Sequence, residues 1–586
     1  MTDIEKTNEP KSRSRRHTEE KDVFSRRRQA GASASHLSGI LITAVFAAVA
    51  VWFFLSLAKL NILPTPFLLL IGLLLALLIV LVGLLTWKLS KKARFIIGTV
   101  LALLGTAGMI VGGLMLRKAY SSINNIIDDK PETQKIAVFV NKDDPAQTLT
   151  DAKDYLFGVL KEIDKAAVDE TISRISTELG TSLALEEYES PSELFVAIMN
   201  HEVDAIIVNT DWVTNMDEFF EGLADSLRQL KDYAVVLPTA ESRETEVRSG
   251  EVETDEDAST VDSTEEDVRH TARHRTRPDE YERTTENYSP DETETETEST
   301  TESRPPAPSV GPSAVQSTPA KELNTTAATP IMKSSGSNFV VYISGIDSRS
   351  GMTGRSLSDV NIIAVVNPSA KKVLLVNTPR DYYITTSVSG GARDKLTHAG
   401  MYGIECSIAT LESLYRLQID YYFKVDFSGF RRIINALGGV DVYSEVAFSA
   451  GSYTFTQGVN HLTGAQALAF ARERKAFNTG DNQRGKNQMA VIKAVINKLA
   501  SSDALLNYNE LMDSLSSAFL TNMPYDKISS LVQTTLSGGS WSVESYAVTG
   551  YGGFEKSFSW PVYAYVMWPN YNSVETAKSK MKSYLN

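Results

Sequence analysis

Phe339-Val-Val-Tyr-Ile-Ser344, Val360-Asn-Ile-Ile-Ala-Val-Val366 and Lys372-Val-Leu-Leu-Val-Asn377 are three short apolar runs bounded by polar and turn-forming residues. Such runs read as strands buried on both faces of a sheet. A fourth follows at residues 421–425, while residues 404–415, 465–473 and 483–499 carry the apolar spacing of helices. Strands mixed with helices predict an α/β domain, a sheet covered by helices on its faces, running from residue 337 to 586.

Upstream of this domain the composition changes abruptly. Between Glu241 and Arg304 stand 22 acidic and 8 basic residues, so this stretch accounts for the whole net charge of −14. Residues 241–336, first Thr/Glu-rich and then Pro-rich, hold too little apolar surface to offset chain entropy and predict a disordered spacer. The remainder is neutral, which argues against a nucleic-acid partner. A single cysteine, Cys406, excludes an intrachain disulfide and a cysteine-rich zinc site.

Further upstream, residues 119–240 predict a small α/β accessory domain. Strands are expected at 136–140 and 204–209, and helices at 151–167 and 170–179. Asp143, Asp144 and Asp211 lie near strand ends and read as turn residues or caps rather than a catalytic set. Residues 38–118 hold three uncharged apolar runs, about 38–58, 63–87 and 95–116, each long enough to cross a bilayer core of roughly 30 Å. The tail, residues 1–37, is basic and includes Arg26, Arg27 and Arg28, and Lys88, Lys91, Lys92 and Arg94 join the second and third runs. Positive loops stay inside, so the N-terminus is expected in the cytoplasm and everything after the third span outside the cell membrane. The tail is expected to meet anionic lipid or proteins of a polymer-synthesis complex.

Chemistry is suggested by the arginines of the last domain. Arg380 follows a strand, Arg472 and Arg474 close a helix, and Arg484 lies one turn before Gln488 on the next helix. Guanidinium forks suit phosphate oxygens, although a single surface arginine more often forms an ion pair. Asp347 and Asp359 flank neighbouring strands and suit a hard cation, magnesium or manganese, shared with a pyrophosphate, or else Asp347 caps a turn and Asp359 pairs with an arginine. Lys395 and His398 are weaker candidates for a phosphate contact or a helix cap. No Walker A loop, HExxH or GxSxG competes.

The motifs Gly345-Ile-Asp-Ser-Arg349, Ser358-Asp-Val-Asn-Ile362, Pro379-Arg-Asp381, Leu437-Gly-Gly-Val-Asp441, Ala465-Gln-Ala-Leu-Ala-Phe-Ala-Arg-Glu-Arg474 and Asp481-Asn-Gln-Arg-Gly-Lys-Asn-Gln488 resemble those of the LytR-CpsA-Psr family of cell-envelope phosphotransferases. Three spans followed by an accessory domain look like its CpsA-like branch. The resemblance implies an extracellular enzyme that moves a glycopolymer, capsule or another secondary wall polymer, from a polyprenyl-pyrophosphate carrier to peptidoglycan. It implies a fold with a mixed central sheet flanked by helices, and an apolar groove that would hold the polyprenyl chain. It further implies that Asp347 and Asp359 hold magnesium, that Arg380, Arg472, Arg474, Arg484 and Gln488 bind the pyrophosphate, and that Lys395 is a further phosphate contact. Asp381 is a substrate-side group and a candidate proton acceptor. Where the family has Arg-Ser-Asp, this chain has Leu357-Ser-Asp359, and Arg355 is the candidate substitute. Two other readings use the same features, a regulator or adaptor of polymer synthesis and a pyrophosphatase that recycles the carrier.

Overall fold

The computed structural model describes residues 37–87, 92–127, 133–237, 331–347, 354–477, 480–499 and 518–586. The basic tail, the loop lysines Lys88 and Lys91, and nearly all of the expected spacer lie outside these residues. The expected spacer ends early, because Met332 already exchanges backbone hydrogen bonds with Arg416 and Gln418.

Helices α1 (Leu37–Leu60), α2 (Thr65–Trp87) and α3 (Lys92–Ile126) are long and apolar enough to cross a membrane. Small and hydroxyl residues let them approach, Thr43 and Thr86 sharing a buried 3.0 Å hydrogen bond. The third helix runs well past its expected end at residue 116. Ala119 is buried in a cluster with Ile434 and Val491 of the last domain, and that packing carries the helix beyond Arg117 and Lys118. The Tyr120 and Tyr525 rings meet at a tilt with 5.1 Å between centres, and the Tyr525 hydroxyl donates to the Leu60 carbonyl at 2.7 Å. Gln533 reaches the Asn61 side chain at 3.2 Å, so the α1–α2 turn touches the last domain directly.

The accessory domain comprises β1 (Thr133–Asn141), β2 (Leu156–Leu160), α4 (Lys165–Leu179), β3 (Ala184–Tyr188), α5 (Pro191–Met199), β4 (Ala205–Asn209), α6 (Thr210–Met216), α7 (Leu223–Ser226) and β5 (Leu227–Val236). Its sheet order is β3-β2-β4-β1-β5. The helix expected at 151–167 is instead a turn closed by Asp151, which accepts from Gln147 and Thr148, followed by β2. Alternation along β1 sends Ile136, Val138 and Val140 toward α4, and Ala137 and Phe139 toward α5.

The last domain continues with β6 (Phe339–Ile346), β7 (Ser358–Asn367), β8 (Lys372–Asn377), β9 (Tyr383–Thr385), β10 (Arg393–Lys395), α8 (Leu396–Ala399), α9 (Ile404–Tyr415), β11 (Tyr421–Asp426) and α10 (Phe427–Ala436). After β12 (Val440–Ser444), β13 (Phe448–Ala450), β14 (Tyr453–Phe455) and β15 (Gly458–Leu462) come α11 (Gly464–Arg472) and α12 (Asp481–Leu499). The chain ends with β16 (Phe519–Thr521), α13 (Tyr525–Leu536), β17 (Ser542–Ala547), β18 (Gly550–Glu555), β19 (Ala564–Pro569) and α14 (Tyr571–Leu585). The central sheet runs β16-β11-β6-β7-β8-β17, with β6–β7 and β7–β8 antiparallel and β6–β11 and β8–β17 parallel. One face buries Val340, Tyr342, Val365 and Leu374 against α9 and α14; the other buries Val341, Ile362 and Leu375 against Met489 of α12. Each fully buried side chain of this kind contributes about 1.5–3 kcal/mol.

This directionality gathers the carboxyl ends of β6, β8 and β11 and the amino end of β7 along one side of the sheet. A capping box of Thr463 and Gln466 starts α11, and Gly464 lies so close to α10 that an added Cβ would overlap the Arg431 carbonyl. Gly464→Ala is therefore expected to cost about 1–3 kcal/mol of stability. A urea titration of the purified chain checks it, and an unchanged midpoint would contradict this packing.

Candidate active site

Asp347 and Asp359 leave neighbouring strands at the same end, since Ile346 is paired with Ser358 across the β6–β7 ladder. Arg380, three residues beyond the end of β8, places its Nη1 2.5 Å from Asp359 Oδ1. Its Nε lies 3.8 Å from Asp381 Oδ1, and Lys395 Nζ approaches the same oxygen at 3.5 Å. Backbone bonds fix the row, with Leu396 donating to Tyr382 and Thr397 to Arg380, both at 2.9 Å. Asp359, Arg380, Asp381 and Lys395 thus form one alternating chain of charge.

Beside it, Arg472 ends α11 with its guanidinium 4.4 Å from the centre of the Phe427 ring and Nη2 3.6 Å from Asp347 Oδ2. The side chain is 54% exposed, so its charge faces outward. Behind it lies an almost wholly apolar groove between the sheet and helices α10, α11 and α12, lined by Ile343, Val360, Phe430, Leu468 and Ile492 with Gln488 on its wall. Arg474 lies two residues past the end of α11, and Arg484 sits in the opening turn of α12, one turn before Gln488. The arrangement offers cationic and amide donors at the rim of a hydrocarbon-like slot, which matches an amphiphile with an anionic head.

Arg355 is placed differently from the expectation that it stands in for the missing family arginine. Its guanidinium pairs with Asp164 of the accessory domain, where the two side chains are 13% and 2% exposed. Leu357, at the family's arginine position, packs against the accessory core. That core is shared: Leu194, Phe195 and Trp212 belong to one cluster with Ala399, Met401 and Tyr402.

His398 is structural. Its Nδ1 meets Asp394 at 2.5 Å, and its ring edge meets Phe219 of the accessory domain at 5.4 Å between ring centres. Cys406 belongs to the same shared core, and burial pushes its thiol up, away from nucleophilic use. Asp144 closes a turn by accepting from Ala146, whereas Asp211 accepts from the Arg355 backbone N–H.

Several side chains escaped the sequence reading. Phe427 under Arg472 and the wall residues Phe430 and Leu468 are signalled only by the spacing of apolar positions on α10 and α11. Tyr342, Ser344, Ser358 and Asn361 form a buried hydrogen-bond network at the root of the acid-bearing strands, with the Tyr342 hydroxyl 2.7 Å from Asn361 Oδ1. Within the Ser358-Asp-Val-Asn-Ile362 motif, only the aspartate signals a role by residue type.

The fold and site define a membrane-anchored α/β domain whose basic rim guards an apolar groove. The LytR_cpsA_psr family model matches residues 307–582. A polyisoprenyl-teichoic acid–peptidoglycan teichoic acid transferase TagU from Oceanobacillus iheyensis is 35% identical over 219 residues, covering 36% of this chain and 67% of that protein. The TagU of Bacillus mycoides is 38% identical over 189 residues, 32% of this chain and 61% of its own length. The crystal structure of B. subtilis TagV aligns at 27% identity and a TM-score of 0.37, covering 42% of this chain and 97% of that one. The chain belongs to the LytR-CpsA-Psr family of cell-envelope phosphotransferases.

Proposed function

We propose that this protein transfers a glycopolymer from a polyprenyl-pyrophosphate carrier to a hydroxyl group of peptidoglycan. The observation that carries the proposal is the apolar groove with Arg472 and Gln488 at its polar end, beside the Asp359–Arg380–Asp381–Lys395 row. The polyprenyl tail lies in the groove and the pyrophosphate meets the arginines. An acceptor hydroxyl attacks the phosphorus that bears the sugar, and the bond to the bridging oxygen breaks. Polyprenyl phosphate departs, the hydroxyl proton is released, and a phosphodiester remains. Arginine charge counters the negative charge that grows on the bridging oxygen.

Two carboxylates on adjacent strands form an all-oxygen donor set that suits magnesium, or manganese in its place. Among the described residues no group of three His, Cys, Asp or Glu side chains stands ready for a metal, so phosphate oxygens and water would complete the shell. Asp347 and Asp359 would hold the ion, which when bound neutralises phosphate charge. Asp359→Asn is expected to raise the magnesium concentration needed for half-maximal rate by about tenfold or more. A metal titration of initial rates checks it, and an unaltered requirement would remove Asp359 from the metal site.

The polymer is capsule-like in the branch resemblance and teichoic acid in the relatives' names, and both fit a carrier-linked donor. The basic tail and the loop at 88–94 support a cytoplasmic N-terminus with the transferase domain outside, and protease protection in vesicles tests it. For the reaction, full-length protein in detergent is incubated with magnesium, a polyprenyl-pyrophosphate oligosaccharide and peptidoglycan. Wall-linked sugar together with polyprenyl phosphate is the expected result. An intact donor would overturn the transferase reading, and free sugar phosphate without a linked product would leave the pyrophosphatase reading.

A further inference from the structure

We infer that the accessory domain is a clamp on the active site, in which Asp164, Asp211 and Asn215 are positioning residues for the strand connection that delivers Asp359. The inference rests on the transfer reaction proposed above and gives the accessory domain a part in it. Gly354 and Arg355, the first two residues of the described run 354–359, are each gripped by other parts of the chain. Lys424 of β11 donates to the Gly354 carbonyl at 2.7 Å. Asp211 accepts from the Arg355 N–H at 2.9 Å, and Asn215 donates to the Arg355 carbonyl at 3.2 Å. Asp164 pairs with the Arg355 guanidinium and at the same time accepts from Trp212 Nε1 at 3.1 Å, which fixes the carboxylate on both sides.

The grip continues toward the acid. Ser356 presses on Gly400, where an added Cβ would overlap the Ser356 carbonyl. Leu357 is packed into the shared core, and Ser358 joins the Tyr342–Asn361 network. Asp359 follows directly and meets Arg380. Both backbone polar groups and the charged tip of Arg355 are therefore held by one face of the accessory domain, four residues before Asp359. Residues 354–358, held at this density, fix where the Asp359–Arg380 pair stands before substrate arrives, and such preorganisation acts on rate more than on binding. Leu357, which departs from the family pattern, is the apolar half of the same attachment: an arginine there would place its charge in the seam.

The test uses the full chain with two single variants, Asp164→Asn and Asp211→Ala. Asp164→Asn keeps a hydrogen-bond acceptor for Trp212 and removes only the charge facing Arg355. Each variant is expected to lower kcat for transfer about tenfold or more with the KM for donor nearly unchanged. Hydrogen–deuterium exchange at residues 355–361 is expected to quicken while the β6–β8 ladder stays protected. The charge-reversed pair Asp164→Arg with Arg355→Asp is expected to recover kcat relative to either reversal alone. A phosphate-binding Arg355 gives the opposite pattern, with Asp164→Asn as active as the parent. Parental kcat in both variants overturns the clamp, even where exchange quickens, because the contact would then be only structural. If the parent chain transfers nothing, the transfer reading itself falls, and unchanged exchange in both variants would separately overturn the clamp.

Discussion

Replacing Arg472 with alanine is expected to lower the transfer rate about a hundredfold while leaving the unfolding midpoint almost unchanged. The contrast follows from where the side chain stands. Its contact with Asp347 is a 3.6 Å ion pair between two largely exposed groups, worth at most about 1 kcal/mol. Its stacking on Phe427 adds about as much again at an exposed site. Little stability is lost when it goes. In the transfer proposed above, a guanidinium at the rim of the apolar groove would face the departing phosphate as it gains charge, and losing one such donor typically costs about 2.7–4 kcal/mol in the barrier. Arg472→Lys is expected to fall between the two, because a point charge replaces a fork that engages two oxygens. Steady-state rates with a synthetic carrier-linked donor, paired with melting curves, decide the matter. A parental rate in the alanine variant would move the pyrophosphate away from this groove.

The central sheet was legible because β6, β7 and β8 are buried on both faces, so their sequences are nearly unbroken apolar runs that need no partner to be recognised. Residues 404–415 were equally clear as α9, whose inward positions Leu411 and Tyr415 repeat at helical spacing. β2 was misread as helix since Leu156-Phe-Gly-Val-Leu160 is too short to distinguish the two periods. Its state is decided by pairing with β3 and β4, both distant in sequence. The α5 start is written in Ser190-Pro-Ser-Glu193, which forms a capping box in the fold.

Of the site, the arginines and aspartates could be named from residue type and spacing, and the fold sets Asp359, Arg380, Asp381 and Lys395 in one row. Arg355 shows where that reading fails. A guanidinium near an acidic motif looks the same whether it meets a phosphate or a buried carboxylate, and only the three-dimensional placement of Asp164 separates them. The same holds for the extension of α3 past the expected end at residue 116, where Arg117 and Lys118 interrupt the apolar run and packing of Ala119 and Ile123 sustains the helix.

Replacing Asp394 with alanine is expected to cost about 3–5 kcal/mol of stability. Its carboxylate is fully buried and accepts from His398 Nδ1, the Lys395 N–H, the Ser559 N–H and the Ser559 hydroxyl. Alanine leaves all of these donors without their acceptor in a site closed to water. Burial opposes the charge on Asp394, but electrostatic attraction to His398 and its hydrogen bond, with those from Ser559 and the Lys395 N–H, outweigh it and hold the carboxyl below the usual 3.8. Because the folded carboxyl is the more acidic one, its contribution is complete above the unfolded pKa and is lost as pH falls through the folded value. The deficit of the variant is therefore expected to be full at pH 7 and to shrink only below about pH 4. Urea midpoints across that range measure it, and a deficit that never shrinks would mean that the carboxylate is not what holds His398 and Ser559. The damage is expected at the domain seam first, since Phe219 rests on His398 and both Phe219 and Phe220 rest on Trp560, one residue from Ser559. Loosening that seam also loosens the accessory face that grips Arg355, so Asp394→Ala should lose transfer activity well before it loses the central sheet.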